Sequence, residues 1–309
     1  MHRFEFDPTR RTLIRLIAGA TLSPLLSLPT GLHGASRKAI TKTIPSSGER
    51  LPAIGLGTSR TFDVSATEQL PSLAQVLGIF FGAGGTLIDS SPMYGEAERV
   101  IGELLAEVPS RPLFAATKVW TRGRQRGISQ METSRSLWRI PRFDLIQVHN
   151  LLDWQIHLET LREWKAQNKI RYIGITTSHG RDHDELERIL ENHPLDFVQF
   201  SYSMGEREAE QRLLPLAKER GIAVIANRPF QRGSLFHLVK NRPLPSWAGE
   251  FDCHSWGQFF LKFVISHPGI TCAIPATSNP KHMQDNMGAM AGRLPDLDMR
   301  KRMLAFLED

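Results

Sequence analysis

Cysteine is scarce in this 309-residue sequence, which contains only Cys253 and Cys272, 19 positions apart. No CxxC pair occurs, so the sequence lacks the closely spaced cysteines typical of structural zinc sites. We therefore expect no bound metal and no disulfide scaffold.

An excess of charge is also missing from most of the chain. Residues 1–42 carry seven of the 38 lysines and arginines and two of the 32 acidic residues, so 31 basic and 30 acidic side chains remain in the rest. A nucleic-acid-binding protein keeps its positive charge on the folded domain. We therefore expect no nucleic-acid partner.

The overall composition is that of a globular protein, with 41% hydrophobic and 23% charged residues. It excludes a disordered, collagen-like or coiled-coil chain. The length is sufficient for two average domains or for one barrel-sized α/β domain.

The basic N-terminus follows the order of an export signal. Arg10 and Arg11 precede an apolar stretch over residues 16–28, and small residues follow at 34–36. This order is typical of a secretory signal, and the paired arginines resemble the twin-arginine export signal. Ser23 and Pro24 interrupt the apolar stretch, which is too short to span a bilayer comfortably.

We therefore predict a twin-arginine-type signal peptide over residues 1–36, with the twin-arginine export machinery as a partner. The protein would then be periplasmic or otherwise exported in a bacterium. Two alternatives stay open, a disordered basic tail and an uncleaved anchor. If the leader is not functional, the protein is cytoplasmic.

Beyond the leader, residues 42–52 indicate a turn between two short extended pieces, and a repeated pattern then begins. Segments with apolar side chains at helical spacing separate short apolar runs. The eight runs are 53–56, 86–88, 113–117, 145–148, 172–175, 197–200, 223–226 and 272–274, and the helical segments include 98–105, 158–164, 186–190, 213–217 and 296–306.

This alternation predicts a parallel sheet covered by helices. Eight units fit a closed (β/α)8 TIM barrel better than an open doubly wound sheet. Residues 55–58 lack the third glycine of the dinucleotide-binding fingerprint and open no helix, which argues against the open sheet. No linker is visible, so we predict a single barrel domain over residues 37–309.

Four titratable residues lie at or just after the ends of three successive predicted strands. They are Asp89, Tyr94, Lys118 and His149. Each alone has a structural explanation, such as a helix cap, a packed aromatic ring, an exposed lysine or a core histidine. Because reactive side chains of such barrels lie at the carboxyl ends of strands, their joint placement predicts a catalytic site.

The four residue types suit the protonation of an oxygen atom. A nearby lysine lowers the pKa of a tyrosine, and a buried aspartate keeps that lysine charged. A histidine across the pocket can orient a carbonyl group by a hydrogen bond. Such a site has neither hydride nor nucleophile of its own, so a redox cofactor is the missing part.

The segments that carry these residues resemble the aldo-keto reductase family. The matching stretches run in family order and occupy residues 51–58, 86–98, 116–120, 144–149, 170–175, 197–202 and 274–280. The resemblance implies a TIM barrel closed at the bottom by an N-terminal β-hairpin. It also implies reduction of an aldehyde or ketone with NAD(P)H, with Tyr94 as general acid, Lys118 as its pKa partner, Asp89 as counter-ion and His149 as orienting group.

The resemblance also implies a set of cofactor-binding residues. They are Gly57, Thr58, Thr176, Thr177, Gln199, Asn227, Arg232, Gly233, Leu235, Thr277, Lys281, His282, Asp285 and Asn286. Three parts of this set depart from the family pattern. Thr176-Thr177 replaces a Ser-Asn pair, and Ala276 and His282 replace a basic pair. Asn227 replaces an aromatic residue that stacks on nicotinamide, and Phe230 could take over that stacking role.

Lys281 and His282 would supply positive charge to a ribose 2′-phosphate, so we expect NADPH as cofactor, with NADH as an alternative. The loops 120–141 and 235–256 are expected to set specificity for a small carbonyl substrate. The segment 230–256 is expected to carry site contacts. Trp120, Trp154 and Phe230 are candidates for an apolar pocket.

Two other functions stay open. One is a nicotinamide-binding sensor or accessory subunit with little turnover, and the other is an aldolase that forms a Schiff base on Lys118. An exported reductase would also need a redox partner to recycle its cofactor, and the sequence does not identify one.

Overall fold

The computed structural model describes residues 39–108 and 111–308, so the predicted signal peptide and the domain boundary after residue 36 lie outside the described residues. The described part contains β1 (Thr41–Thr43), β2 (Arg50–Pro52), β3 (Leu56–Gly57), β4 (Leu87–Asp89), β5 (Phe114–Val119), β6 (Phe143–His149), β7 (Ile170–Thr176), β8 (Phe197–Ser201), β9 (Ala223–Asn227) and β10 (Cys272–Ala273). Each of the eight predicted apolar runs overlaps one of the strands β3 to β10.

Strands β3 to β10 form one parallel sheet in sequential order. The sheet closes on itself, because Ile54 and Gly57 form parallel bridges to Ala273 and Ala276 beside β10. The amide of Gly55 also donates to the carbonyl of Ala273 at 2.8 Å. The predicted (β/α)8 barrel is therefore confirmed.

Helices surround the barrel. They are α1 (Leu70–Gly82), α2 (Ala97–Glu107), α3 (Arg124–Trp138), α4 (Trp154–Ala166), α5 (His183–Asn192), α6 (Leu213–Glu219), α7 (Ser234–Leu238), α8 (Trp256–Ser266), α9 (Pro280–Gly288) and α10 (Leu297–Glu308). Within residues 39–108 and 111–308, no helix combines the length and the apolarity needed to cross a membrane.

The prediction of a loop over residues 120–141 is wrong, because α3 occupies most of this segment. The second expected loop, 235–256, also contains regular structure. Helix α7 ends at Leu238 and a 3-10 turn occupies Ser246–Phe251.

The β1–β2 hairpin closes the end of the barrel at which the strands begin. Its Ile44 and Leu51 are buried in the cluster of side chains that fills the barrel interior. The hydroxyl of Tyr172, near the start of β7, donates to Ser47 Oγ at 2.8 Å, and Arg171 forms an ion pair with Glu49. The opposite end, where the strands finish, is left open for a site.

Glu98 fixes the element that carries the Tyr94 loop. Its buried carboxylate, in the first turn of α2, accepts hydrogen bonds from Thr117, from Ser134 at 2.7 Å and from the Trp138 indole at 3.2 Å. These three donors come from β5 and α3, so α2 is held against both elements. Burial raises the pKa of Glu98, and the three hydrogen bonds oppose that rise.

Candidate active site

A cavity of about 790 Å³ opens where the barrel strands end. This volume lies within the range of roughly 300–1,000 Å³ found for small-molecule and cofactor sites. The loops that follow β3, β4, β6, β7, β9 and β10 all contribute to its wall, and β8 contributes Gln199. The cavity therefore lies where the sequence predicts the site of a barrel of this type.

A buried ion pair forms the floor of the cavity. Lys118 is fully buried, and its Nζ donates to Asp89 Oδ2 at 2.6 Å and to the carbonyl of Ser90 at 2.8 Å. The other carboxylate oxygen of Asp89 accepts from Gln147 at 3.3 Å and from Gln199 at 3.2 Å. Burial disfavours the charged lysine, but the charge and hydrogen bond of Asp89, together with Tyr94 and Glu98, outweigh this effect and raise the pKa of Lys118.

These contacts argue against a Schiff base on Lys118. A nucleophilic lysine must be accessible and uncharged. Here the ammonium group is enclosed and forms an ion pair with the carboxylate of Asp89, so it is neither accessible nor uncharged.

Tyr94 lies in the β4–α2 loop, which turns back on itself through a 2.9 Å hydrogen bond from the Tyr94 amide to the carbonyl of Ser91. Lys118 Nζ lies 5.3 Å from the centre of the Tyr94 ring. Burial raises the pKa of Tyr94, and Lys118 opposes that rise. The expected influence of the lysine is present, but the expected net lowering of the pKa is wrong, because the effect of burial is larger.

His149 ends β6 and faces Tyr94 across the cavity. The two ring centres are 5.8 Å apart at an interplanar angle of 87°, and Trp120 lies 6.4 Å from the imidazole. Burial and then the positive charge of Lys118 lower the pKa of His149 to about 2. The imidazole is therefore neutral at physiological pH and carries one donor and one acceptor.

Polar side chains at the ends of β7, β8 and β9 are joined by hydrogen bonds. Thr176 Oγ1 donates to Gln199 Oε1 at 2.9 Å. The Asn227 amide donates to the carbonyl of Thr177 at 2.9 Å and accepts from Ser201 Oγ at 2.8 Å. Asn227 therefore ties three strands together at the position where the family has a stacking aromatic residue.

Three buried side-chain oxygens on the wall have no hydrogen-bond partner among the described residues, namely Thr61 Oγ1, Asn150 Oδ1 and Thr177 Oγ1. Buried polar atoms are rarely left unpaired. A ligand with polar groups, such as a carboxamide, would satisfy them, so the wall fits the nicotinamide end of a dinucleotide.

Most of the predicted site residues line the cavity. These are Asp89, Tyr94, His149, Gly57, Thr58, Thr176, Thr177, Gln199, Asn227, Arg232, Gly233, Thr277, His282, Asp285 and Asn286. Lys118 lies directly beneath them. Leu235 and Lys281 are not on the wall, since Leu235 is buried in the core and Lys281 is exposed. Of the three predicted pocket residues, Phe230 lines the cavity, whereas Trp120 and Trp154 are not on its wall and pack beside His149 and His193 respectively.

Several basic residues on the wall were not predicted from the sequence as site residues. They are Arg60, His179, Arg181 and Arg228. Burial and the neighbouring arginines lower the pKa of His179, and burial lowers that of Arg228 although Glu206 opposes this. No ion pair of Arg181, Arg228 or Arg232 occurs within the described residues, so this part of the wall is positive. Arginines just after strand ends were the available signal.

Comparisons with known proteins agree with this geometry. The sequence profile of the aldo/keto reductase family matches residues 53–302. Methylglyoxal reductase YeaE of Escherichia coli is 30% identical over 84% of this chain and 92% of its own length. An NADH-specific methylglyoxal reductase of the same bacterium is 29% identical over 53% of this chain and 58% of its own length.

The fold is also similar to that of solved structures. An aldo/keto reductase from Klebsiella pneumoniae, in complex with NADP and acetate, superimposes with a TM-score of 0.72 at 24% identity. The match covers 87% of this chain and 95% of that protein.

Proposed function

We propose, on the premise that this chain belongs to the aldo/keto reductase family, that it reduces an aldehyde or ketone to an alcohol with Tyr94 as general acid. The family match and the relatives named as reductases support NAD(P)H-dependent carbonyl reduction. The observation that carries the role of Tyr94 is the convergence of Asp89, Tyr94, Lys118 and His149 on one cavity.

A bound nicotinamide cofactor supplies the hydride. The chain supplies the proton and the orientation of the carbonyl group. Because its pKa is raised, Tyr94 keeps its phenolic proton at physiological pH and can give it to an oxygen on which negative charge develops. His149, neutral and facing Tyr94, donates a hydrogen bond to the same oxygen.

Lys118 and Asp89 act behind Tyr94. The lysine ammonium stabilises the phenolate left after proton transfer, since a positive charge nearby favours the charged form of tyrosine. Asp89 keeps that ammonium in place from below, with the help of Gln147 and Gln199 on its second oxygen.

NADPH is the proposed cofactor. Thr177 and Gln199 would hold the carboxamide, Arg232 and Gly233 the pyrophosphate, and Thr277 and Asn286 the adenosine. A 2′-phosphate needs positive charge, and the wall offers His282 and arginines without ion pairs among the described residues. Lys281 is not on the wall and contributes less than the sequence suggested.

The proposed substrates are small carbonyl compounds. A relative named as a methylglyoxal reductase supports this class. The apolar residues of the wall include Met93, Phe230 and Phe236, in the same cavity as Tyr94. Methylglyoxal and an aromatic aldehyde are therefore suitable probes.

The test follows the absorbance of NADPH with the full-length protein, each probe aldehyde and two variants. We expect turnover by the wild type and a loss of about 100-fold or more in Tyr94→Phe, which removes the proton donor. Tyr172→Phe removes a tyrosine hydroxyl at the opposite end of the barrel and is the matched control, with unchanged turnover expected.

Other outcomes would contradict the proposal in different ways. Tight NADPH binding without turnover would indicate a nicotinamide-binding sensor or accessory subunit, for which the replacement of the stacking aromatic residue by Asn227 is the favouring observation. A lower KM for NADH than for NADPH would overturn the cofactor preference and leave carbonyl reduction standing.

We also propose that residues 1–36 direct export by the twin-arginine machinery to the periplasm. The supporting pattern is the arginine pair, the apolar stretch and the small residues in that order. An exported reductase meets no free pool of reduced nicotinamide, so the proposal includes a redox partner that recycles the bound cofactor.

A further inference from the structure

Ser91 occupies a buried position beside the imidazole of His149. It follows Asp89 by two residues in the β4–α2 loop and is fully buried. Its Oγ lies 2.9 Å from His149 Nδ1 and accepts a hydrogen bond from the Met93 amide at 3.2 Å. No other partner of Ser91 Oγ occurs among the described residues.

The protons in this cluster fit together in one way. The Met93 amide already donates to Ser91 Oγ, so the serine proton needs an acceptor, and His149 Nδ1 is the acceptor within reach. If Nδ1 carried the proton instead, the serine hydroxyl would be a buried donor without an acceptor, which is costly. The imidazole is neutral, so its proton then lies on Nε2.

We propose that Ser91 is a positioning residue that holds His149 in the tautomer with the proton on Nε2. No hydrogen bond of His149 Nε2 occurs within the described residues, and the ring lines the cavity opposite Tyr94. The Nε2–H group is thus the free donor for a carbonyl oxygen. With the other tautomer, a lone pair would face that oxygen and repel it.

Ser91 fixes the proton, whereas neighbouring aromatic rings fix the plane of the imidazole. The Tyr94 ring stands at 87° to the imidazole and the Trp120 ring is tilted by 58° to it. The rings cannot discriminate between tautomers, because neither accepts or donates a conventional hydrogen bond to Nδ1. The choice of tautomer therefore depends on the serine hydroxyl.

The first test is spectroscopic and needs no turnover. Long-range 15N–1H correlation of the full-length protein distinguishes a protonated Nε2 from a protonated Nδ1, and the His149 signals are assigned from their absence in His149→Gln. We expect a proton on Nε2 in the wild type. A proton on Nδ1 would overturn the proposal.

The second test is kinetic. In Ser91→Ala we expect about a tenfold loss of kcat/KM for methylglyoxal, an unchanged Kd for NADPH, and a mixture of His149 tautomers in the spectrum. Ser91→Thr keeps the hydroxyl and should restore the wild-type tautomer. Ser203→Ala is the matched control, because it removes a fully buried serine hydroxyl that has no described partner.

This inference rests on the proposed function only for its kinetic consequence. If the wild type shows no turnover but carries its proton on Nε2, the proposed function fails and the assignment of Ser91 stands. If turnover is normal and Ser91→Ala changes neither the tautomer nor kcat/KM, the assignment of Ser91 fails alone. Should Ser91→Ala not fold, the wild-type spectrum still decides.

Discussion

His149 and Tyr94 face each other in one cavity, yet both keep their ordinary neutral forms at physiological pH for different reasons. Burial and the charge of Lys118 act in the same direction on His149 and lower its pKa to about 2. On Tyr94 they act in opposite directions, and burial prevails to raise its pKa. Both residues are therefore hydrogen-bond donors at the pH of turnover.

These shifts predict the pH dependence of kcat/KM. A general acid works only while protonated, so activity should fall as pH rises through the raised pKa of Tyr94, above the ordinary value of 10. His149 should cause no inflection near the ordinary histidine pKa of 6.5. The measurement is a pH profile of kcat/KM for methylglyoxal with NADPH.

His149→Gln provides the comparison for this profile. An inflection near pH 6.5 in the wild type that disappears in the variant would show that His149 titrates there, contrary to the prediction. A descending limb below pH 10 that disappears in Tyr94→Phe would show that Lys118 outweighs burial.

For single residues, the sequence predicted which side chains come together in the site. It did not predict whether burial or charge has the larger effect on their pKa values. The proximity of Lys118 to Tyr94 could be inferred because Lys118 ends one predicted strand and Tyr94 follows the end of the neighbouring one. The depth at which the phenol is buried depends on how the loops pack, and no local pattern encodes it. The basic residues Arg181 and Arg228 were missed for a similar reason, since their loops have no periodicity.

At the scale of elements, the strands of the barrel were predictable, whereas α3 occupies a segment that was expected to be a loop. Each barrel strand is buried on both faces, so it appears as a short apolar run. Helix α3 buries Gly127, Met131, Ser134 and Trp138, which are spaced as on one helix face. Two of these four are small and not hydrophobic, so the sequence carried little helical signal there.

The position of the β1–β2 hairpin predicts that a substitution there lowers stability without lowering activity. Leu51 is 1% exposed and packs into the barrel interior at the end opposite the cavity. Leu51→Ala should therefore lower the free energy of unfolding by about 2–5 kcal/mol and leave kcat/KM of the folded protein unchanged. The measurement is denaturant unfolding together with the NADPH assay.

Leu238→Ala is the matched control for the hairpin. It makes the same change at a leucine that is 65% exposed, so a change within about 0.5 kcal/mol is expected. An equally small effect of Leu51→Ala would mean that the hairpin does not plug the barrel. A large loss of kcat/KM would mean that the two ends of the barrel are coupled.

For the whole molecule, most of the excess of positive charge lies near the N-terminus. The first 42 residues contain seven basic and two acidic side chains, whereas the rest is nearly neutral. Within these 42 residues, the predicted leader 1–36 holds four of the basic and both of the acidic side chains, whereas Arg37, Lys38 and Lys42 belong to the predicted barrel domain. The predicted leader is therefore distinguished by its arginine pair and its apolar stretch, and not by its net charge.

Replacing the arginine pair tests this reading. In a bacterium with a twin-arginine pathway, Arg10→Lys combined with Arg11→Lys should abolish export while the charge stays the same, because the pathway reads the guanidinium pair as an address. Fractionation and immunoblotting would then show the full-length variant in the cytoplasm and the shortened wild type in the periplasm. Arg15→Lys makes the same change outside the pair and should be exported normally.

If the pair variant reaches the periplasm as well as the wild type does, the leader uses another route. If neither does, residues 1–36 are not an export signal and the reductase works with the cytoplasmic pool of NADPH, which removes the need for a separate redox partner.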